Sequence, residues 1–97
     1  MAMYNPPHPG AFIVAVYLEP NGVSGRMLAE KLDVSASTLS RILNGTSRVT
    51  PEMALRLAKA IGRTPESWLA MQDAFDLWVA RREVDLRRVG KLELEAA

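Results

Sequence analysis

Residues 24–44, SGRMLAEKLDVSASTLSRILN, constrain this chain more than any other stretch. Leu28, Ala29 and Leu32 fall on one face of a helix, at i, i+1 and i+4. Leu39, Ile42 and Leu43 fall on one face of a second, at i, i+3 and i+4. Ser24 and Ser35 stand at the two starts, each with a hydroxyl to accept an orphan backbone N–H. Only Asp33-Val34 is left for the turn. Two short amphipathic helices joined so tightly bury their faces by folding against each other, with Ala29 small at the approach and Val34 plugging the angle. Such a turn usually has Gly at its first position, because φ is often positive there; Asp33 tolerates that region moderately well.

That packing leaves Ala36, Ser37, Ser40, Arg41 and Asn44 facing outward on the second helix. A row of small polar groups with one arginine suits a helix lying in a DNA major groove. An ordinary αα-hairpin in a bundle has the same spacing. The DNA reading is favoured because the outward face is not Glu/Lys-rich and because basic residues crowd the neighbouring segments. Ser37, Ser40, Arg41 and Asn44 are therefore the candidates for base readout, Arg41 foremost through bidentate contact to guanine. Arg26 and Lys31 on the first helix, Ser35 at the cap, and Thr46 and Arg48 in the following loop are the phosphate candidates.

Charge points the same way. The net charge is only +1, but residues 20–63 carry seven basic and three acidic side chains, while residues 64–97 carry five basic and seven acidic. The basic excess surrounds the paired helices, where a phosphate-binding surface needs it. The chain has no cysteine and one histidine, His8, in a proline-rich segment. No metal-ligand cluster, phosphate loop or partnered nucleophile is present, so neither an enzyme nor a cofactor or metal is expected. With 48% hydrophobic residues in 97, and no apolar run of membrane-spanning length, one globular domain in the cytoplasm is expected, with no membrane contact.

Taken in order, residues 1–10 read as an extended arm, with Pro9 able to open the helix that follows. Residues 12–18, FIVAVYL, read as helix because a lone strand would have no partner; Phe12, Ile13, Val16 and Tyr17 make its core face, and Val14 is left over. Gly45 ends the recognition helix in a left-handed cap. Thr50-Pro51-Glu52 and Thr64-Pro65-Glu66 are two further starts, each with a cap, a proline and an acid in the first turn. Gly62 stops the first of these helices. The last carries a stripe of Trp68, Met71, Phe75 and Trp78 and runs to about Arg82. The division is thus an arm at 1–10, an all-α domain at 11–82 and a tail at 83–97. Val14, Trp68, Phe75 and Trp78, with the alternating Val84 and Leu86 of the tail, are the candidates for a dimer or partner interface.

The segments HPGAFIVAVYLEPNGVS, LAEKLDVSASTLSRILNG and VTPEMALRLAKAIGRTPESWLAMQDAFDLW, in that order, resemble the HigA-type antitoxins of the Cro/phage-repressor-like helix-turn-helix superfamily. The resemblance covers about residues 5–82. It implies a five-helix domain and a homodimer on double-stranded operator DNA of its own toxin–antitoxin promoter. It also implies repression of that promoter and neutralisation of a cognate toxin, a ribosome-dependent mRNA endonuclease. The rival readings are a free-standing phage-like regulator and a protein-interaction module with weak DNA binding. Where many relatives carry basic residues this chain has Ala36 and Ser37, which leaves Arg41 as the one cation on the recognition helix.

Overall fold

A computed structural model describes residues 5–95; residues 1–4 of the expected arm and 96–97 of the expected tail lie outside them. The described residues contain helices and no strand: α1 (Pro9–Ile13), α2 (Gly25–Leu32), α3 (Ala36–Leu43), α4 (Pro51–Ile61) and α5 (Pro65–Glu83). None is long and apolar enough to cross a membrane.

The arm is shorter and more buried than its proline content implies. His8 caps α1, its Nδ1 accepting the Gly10 N–H at 2.9 Å, and Pro9 and Gly10 are already buried helical residues. Past Ile13 the helix widens into a π turn over Val14–Leu18, where the Glu19 N–H reaches back five residues to the Val14 carbonyl. A short 3₁₀ turn over Glu19–Asn21 and Gly22, at φ 64°, end it. The π turn corrects the expected core face. Residues five apart come into line in such a turn, so Ile13 and Leu18 are buried while Val16 is rotated out to 44% exposure.

The two central helices form as their caps dictate. Ser24 accepts the Met27 N–H and Ser35 the Thr38 N–H, each at 3.1 Å. Both helices also end alike. Asp33 at φ 59° follows α2, with the Val34 N–H returning to Ala29 O and the Asp33 N–H to Glu30 O. Gly45 at φ 82° follows α3, with the Thr46 N–H returning to Arg41 O and the Gly45 N–H to Ile42 O. These paired bonds satisfy carbonyls that a helix end otherwise orphans. Asp33 therefore occupies the left-handed position expected for it. Gly10 sets α1 against the end of α3: a Cβ there would collide with the Ile42 carbonyl.

Thr50 caps α4, and Thr64 and Ser67 form a reciprocal capping box at the start of α5. The core joins Ile13 and Leu18 to Leu28, Leu32, Leu39, Ile42, Val49, Leu57 and Trp68. Trp68 is fully buried, and its indole N–H donates to the Gly62 carbonyl at 3.0 Å. It is a core residue and not available to a partner, which corrects its place among the interface candidates. The stripe it was expected to share splits along α5: Phe75 and Trp78, further on, are only half-buried. Beyond Glu83 every described residue of the tail is exposed, and a turn there is closed by Val89 N–H to Leu86 O at 3.0 Å.

Candidate nucleic-acid interface

The outer face of α3 presents Ala36, Ser37, Ser40, Arg41 and Asn44, all exposed. With Leu39 and Ile42 buried, the helical rotation places Ser37 and Asn44 at the centre of that face and Ser40 and Arg41 on its flanks. The hydroxyls at its start are linked: Ser35 Oγ donates to Thr38 Oγ1 at 2.8 Å and lies 3.3 Å from Ser37 Oγ. Ser35 has one proton, and it is used inside the cap. At the far end Asn44 Nδ2 donates to Ser40 Oγ at 3.4 Å.

On the Ser40 side a cleft of about 260 Å³ separates α3 from the start of α2, lined by Gly25, Arg26, Ala36, Ser40 and Asn44. A helix N-terminus with an arginine beside it is suited to a phosphate. Arg26 is thus brought to the same cleft as Ser40 and Asn44, two of the four base-readout candidates. Lys31 is not: it lines a separate cleft of about 570 Å³ with Asp33, Arg56 and Lys59. On the Arg41 side the loop folds over the end of α3, with the Thr46 and Ser47 N–H groups both bonded to the Arg41 carbonyl, at 2.9 and 3.1 Å. Thr46 Oγ1 donates to that carbonyl too, at 3.1 Å, so its hydroxyl proton is also committed.

Arg48 stands apart from the other phosphate candidates. Its Nε and Nη2 donate to Asp76 Oδ2 at 3.2 and 3.0 Å, and Nη2 also reaches Asp73 Oδ1 at 3.3 Å. Gln72, 1% exposed, completes the junction by accepting the Val49 N–H at 2.7 Å and donating to Asp76 Oδ1 at 3.0 Å. His8 closes the other side, edge-on to Phe75 with ring centroids 5.1 Å apart. Burial pushes the His8 imidazole below its ordinary pKa, while the Asp76 charge and a backbone bond to Ser47 oppose that shift.

Two supports of this surface stand outside the candidates read from sequence. Arg56 Nη1 donates to Leu32 O at 2.7 Å and Asp33 O at 3.2 Å, which fixes the turn between α2 and α3. Gln72 fixes the loop after α3. Its signal was present, since it falls four residues after Trp68 on the inward stripe of α5. Arg56 carries no comparable signal for this contact, because the two carbonyls lie 24 and 23 residues away.

Residues 15–69 match the helix-turn-helix family model. The chain is 40% identical over 92 residues to the HTH-type transcriptional regulator YddM of Escherichia coli, covering 95% of this chain and 97% of the relative. It is 42% identical over 72 residues to antitoxin HigA-1 of Vibrio cholerae, covering 74% and 68%. Its fold matches that of PA4674 of Pseudomonas aeruginosa, solved in complex with an 18-base-pair operator DNA, with a TM-score of 0.81, 26% identity and coverage of 93% and 97%.

Proposed function

We propose, from the premise that this chain belongs to the helix-turn-helix family and resembles its HigA-type antitoxins, that it is a sequence-specific repressor of its own toxin–antitoxin operon. The observation that carries the reading is the short polar face of α3 lying beside the Arg26 cleft at the start of α2. Ser37 and Asn44 face the base edges, Arg41 and Ser40 read from the flanks, and Arg26 with the α2 N-terminus holds a phosphate. The relative solved with its operator supports DNA as the partner.

One such module makes few base contacts, so a homodimer spanning two half-sites supplies the affinity. The half-buried Phe75 and Trp78 of α5, together with the exposed Val84 and Leu86 of the tail, are the surface for it. Val14, half-buried at the start of the π turn, is a second contact region, suited to the toxin. In this reading the chain divides into an arm, a DNA-binding domain and a partner-binding tail. The toxin it neutralises is a ribosome-dependent mRNA endonuclease.

A mobility-shift titration on the DNA upstream of its own gene tests the repressor. Arg41→Ala is expected to cost about 1–3 kcal/mol of binding and to relax the preference at one base position per half-site. Unchanged affinity and preference would remove Arg41 from readout.

A further inference from the structure

We propose that Asp73 and Asp76 of α5 set the protein's DNA affinity by withholding Arg48 from the phosphate backbone. The inference rests on the DNA-binding reading above and adds two residues that lie outside the helix-turn-helix itself.

Arg48 lies in the loop five residues past the end of α3, between two clefts. One, of about 200 Å³, it shares with Thr38, Arg41 and Thr50, on the side of the proposed DNA surface. The other, of about 370 Å³, it shares with His8, Gln72 and Asp76, on the side of α5. The guanidinium takes the second. A single exposed ion pair would hold it weakly. Here the geometry is stronger. Two of its nitrogens meet Asp76 Oδ2, and Nη2 adds Asp73 Oδ1. Asp76 cannot follow the guanidinium outward, because its other oxygen accepts from Gln72 Nε2 and Gln72 is itself buried and bonded to the Val49 N–H. For Arg48 to meet a phosphate it must leave two carboxylates behind. The family of phosphate candidates therefore loses its loop cation to a helix that begins 17 residues later in the chain.

The test is a double-mutant cycle on the full chain and its own upstream duplex, titrated between about 50 and 200 mM salt. Asn at both positions removes the charge and keeps one carbonyl oxygen at each, enough at 76 to accept from Gln72 but not also from Arg48. Asp73→Asn with Asp76→Asn is expected to bind more tightly than wild type. Its salt slope should steepen by about 0.9, so that its advantage shrinks about threefold across that range. Arg48→Ala alone should leave the wild-type slope unchanged, and adding it to the double variant should abolish the steepening. Asp73→Asn alone leaves the Gln72–Asp76 bond intact and should move the slope the same way by less, which keeps the test valid if the double variant melts early. An unchanged slope in the aspartate variants, or a steepening that persists without Arg48, overturns the proposal alone. A wild-type protein that binds no upstream duplex at low salt overturns the DNA-binding reading and this inference with it.

Discussion

Gly10 has no side chain because there is no room for one. Its Cα faces the Ile42 carbonyl and the Leu43 Cα, both backbone, so a methyl there cannot be accommodated by rotating a neighbour. Gly10→Ala should push α1 off the end of α3 and cost about 1–3 kcal/mol, the usual range for overpacking. A variant that melts with wild type would show that α1 and α3 do not meet as described. His8 makes a second residue-scale prediction. It accepts the Gly10 N–H through Nδ1, which requires the neutral ring, and burial lowers its pKa in the folded chain. The unfolded chain therefore takes up the proton first as pH falls. His8 contributes its full stability above pH about 6.5, and loses it as pH drops from there through the lowered folded value. As the only histidine, it is the one side chain whose ordinary pKa lies in that window. The melting temperature of wild type should fall between about pH 7 and 5 more than that of His8→Asn, which keeps a capping oxygen. Equal falls would remove His8 as the cause.

At the scale of the element, α5 does two jobs along its 19 residues. Its first half is core: Trp68 is fully buried, and Phe12 and Tyr17 pack on it with ring centroids 6.1 Å away. Its second half turns half-buried rings outward, Phe75 against Trp78 at 6.3 Å, with Arg82 stacked 4.6 Å over the Trp78 ring. The two tryptophans should therefore separate in experiment. Trp68→Ala should cost about 3–5 kcal/mol, enough to unfold a domain of this size. Trp78→Ala should leave a folded chain and weaken self-association, read as a shift toward the monomer in sedimentation. If Trp78→Ala unfolds the protein while remaining dimeric until it does, its ring belongs to the core instead. Gln72, Asp73 and Asp76 lie around the boundary of the two halves, so the helix proposed for the interface also holds the loop that follows α3.

Over the whole molecule, the radius of gyration is 17.0 Å and the long dimension 56 Å. A compact domain of this length would have a radius of about 12–13 Å. The excess is the tail, which leaves the body after Glu83 with Val84, Leu86, Val89, Leu92 and Leu94 each more than half exposed. An apolar series left mostly exposed by its own chain is suited to another chain. Truncation after Glu83 should leave the melting temperature of the body unchanged, because the tail contributes nothing to the core. It should abolish the proposed dimer and leave capture of the proposed toxin intact, and size exclusion with and without toxin distinguishes the two. A truncated chain that keeps both would leave the first helix as the remaining partner surface.

Local chemistry is enough to specify where most of the helices begin and end. Ser24, Ser35, Thr50 and Thr64 each accept an N–H three residues on, and Asp33 and Gly45 each take the left-handed position after a helix. Those bonds close within a few residues, so local chemistry suffices to specify them. The outward face of α3 was legible for the same reason, since a helix with Leu39 and Ile42 inside has one opposite side. Other features depend on how the elements pack. The π turn after Ile13 is chosen by what the core needs five residues later, so Leu18 went in and Val16 came out. Which of two similar tryptophans is buried depends on how far the bundle extends along α5. Arg48 is held by carboxylates 25 and 28 residues away. No spacing rule relates residues on different elements, because their meeting depends on where packing lays one helix across another.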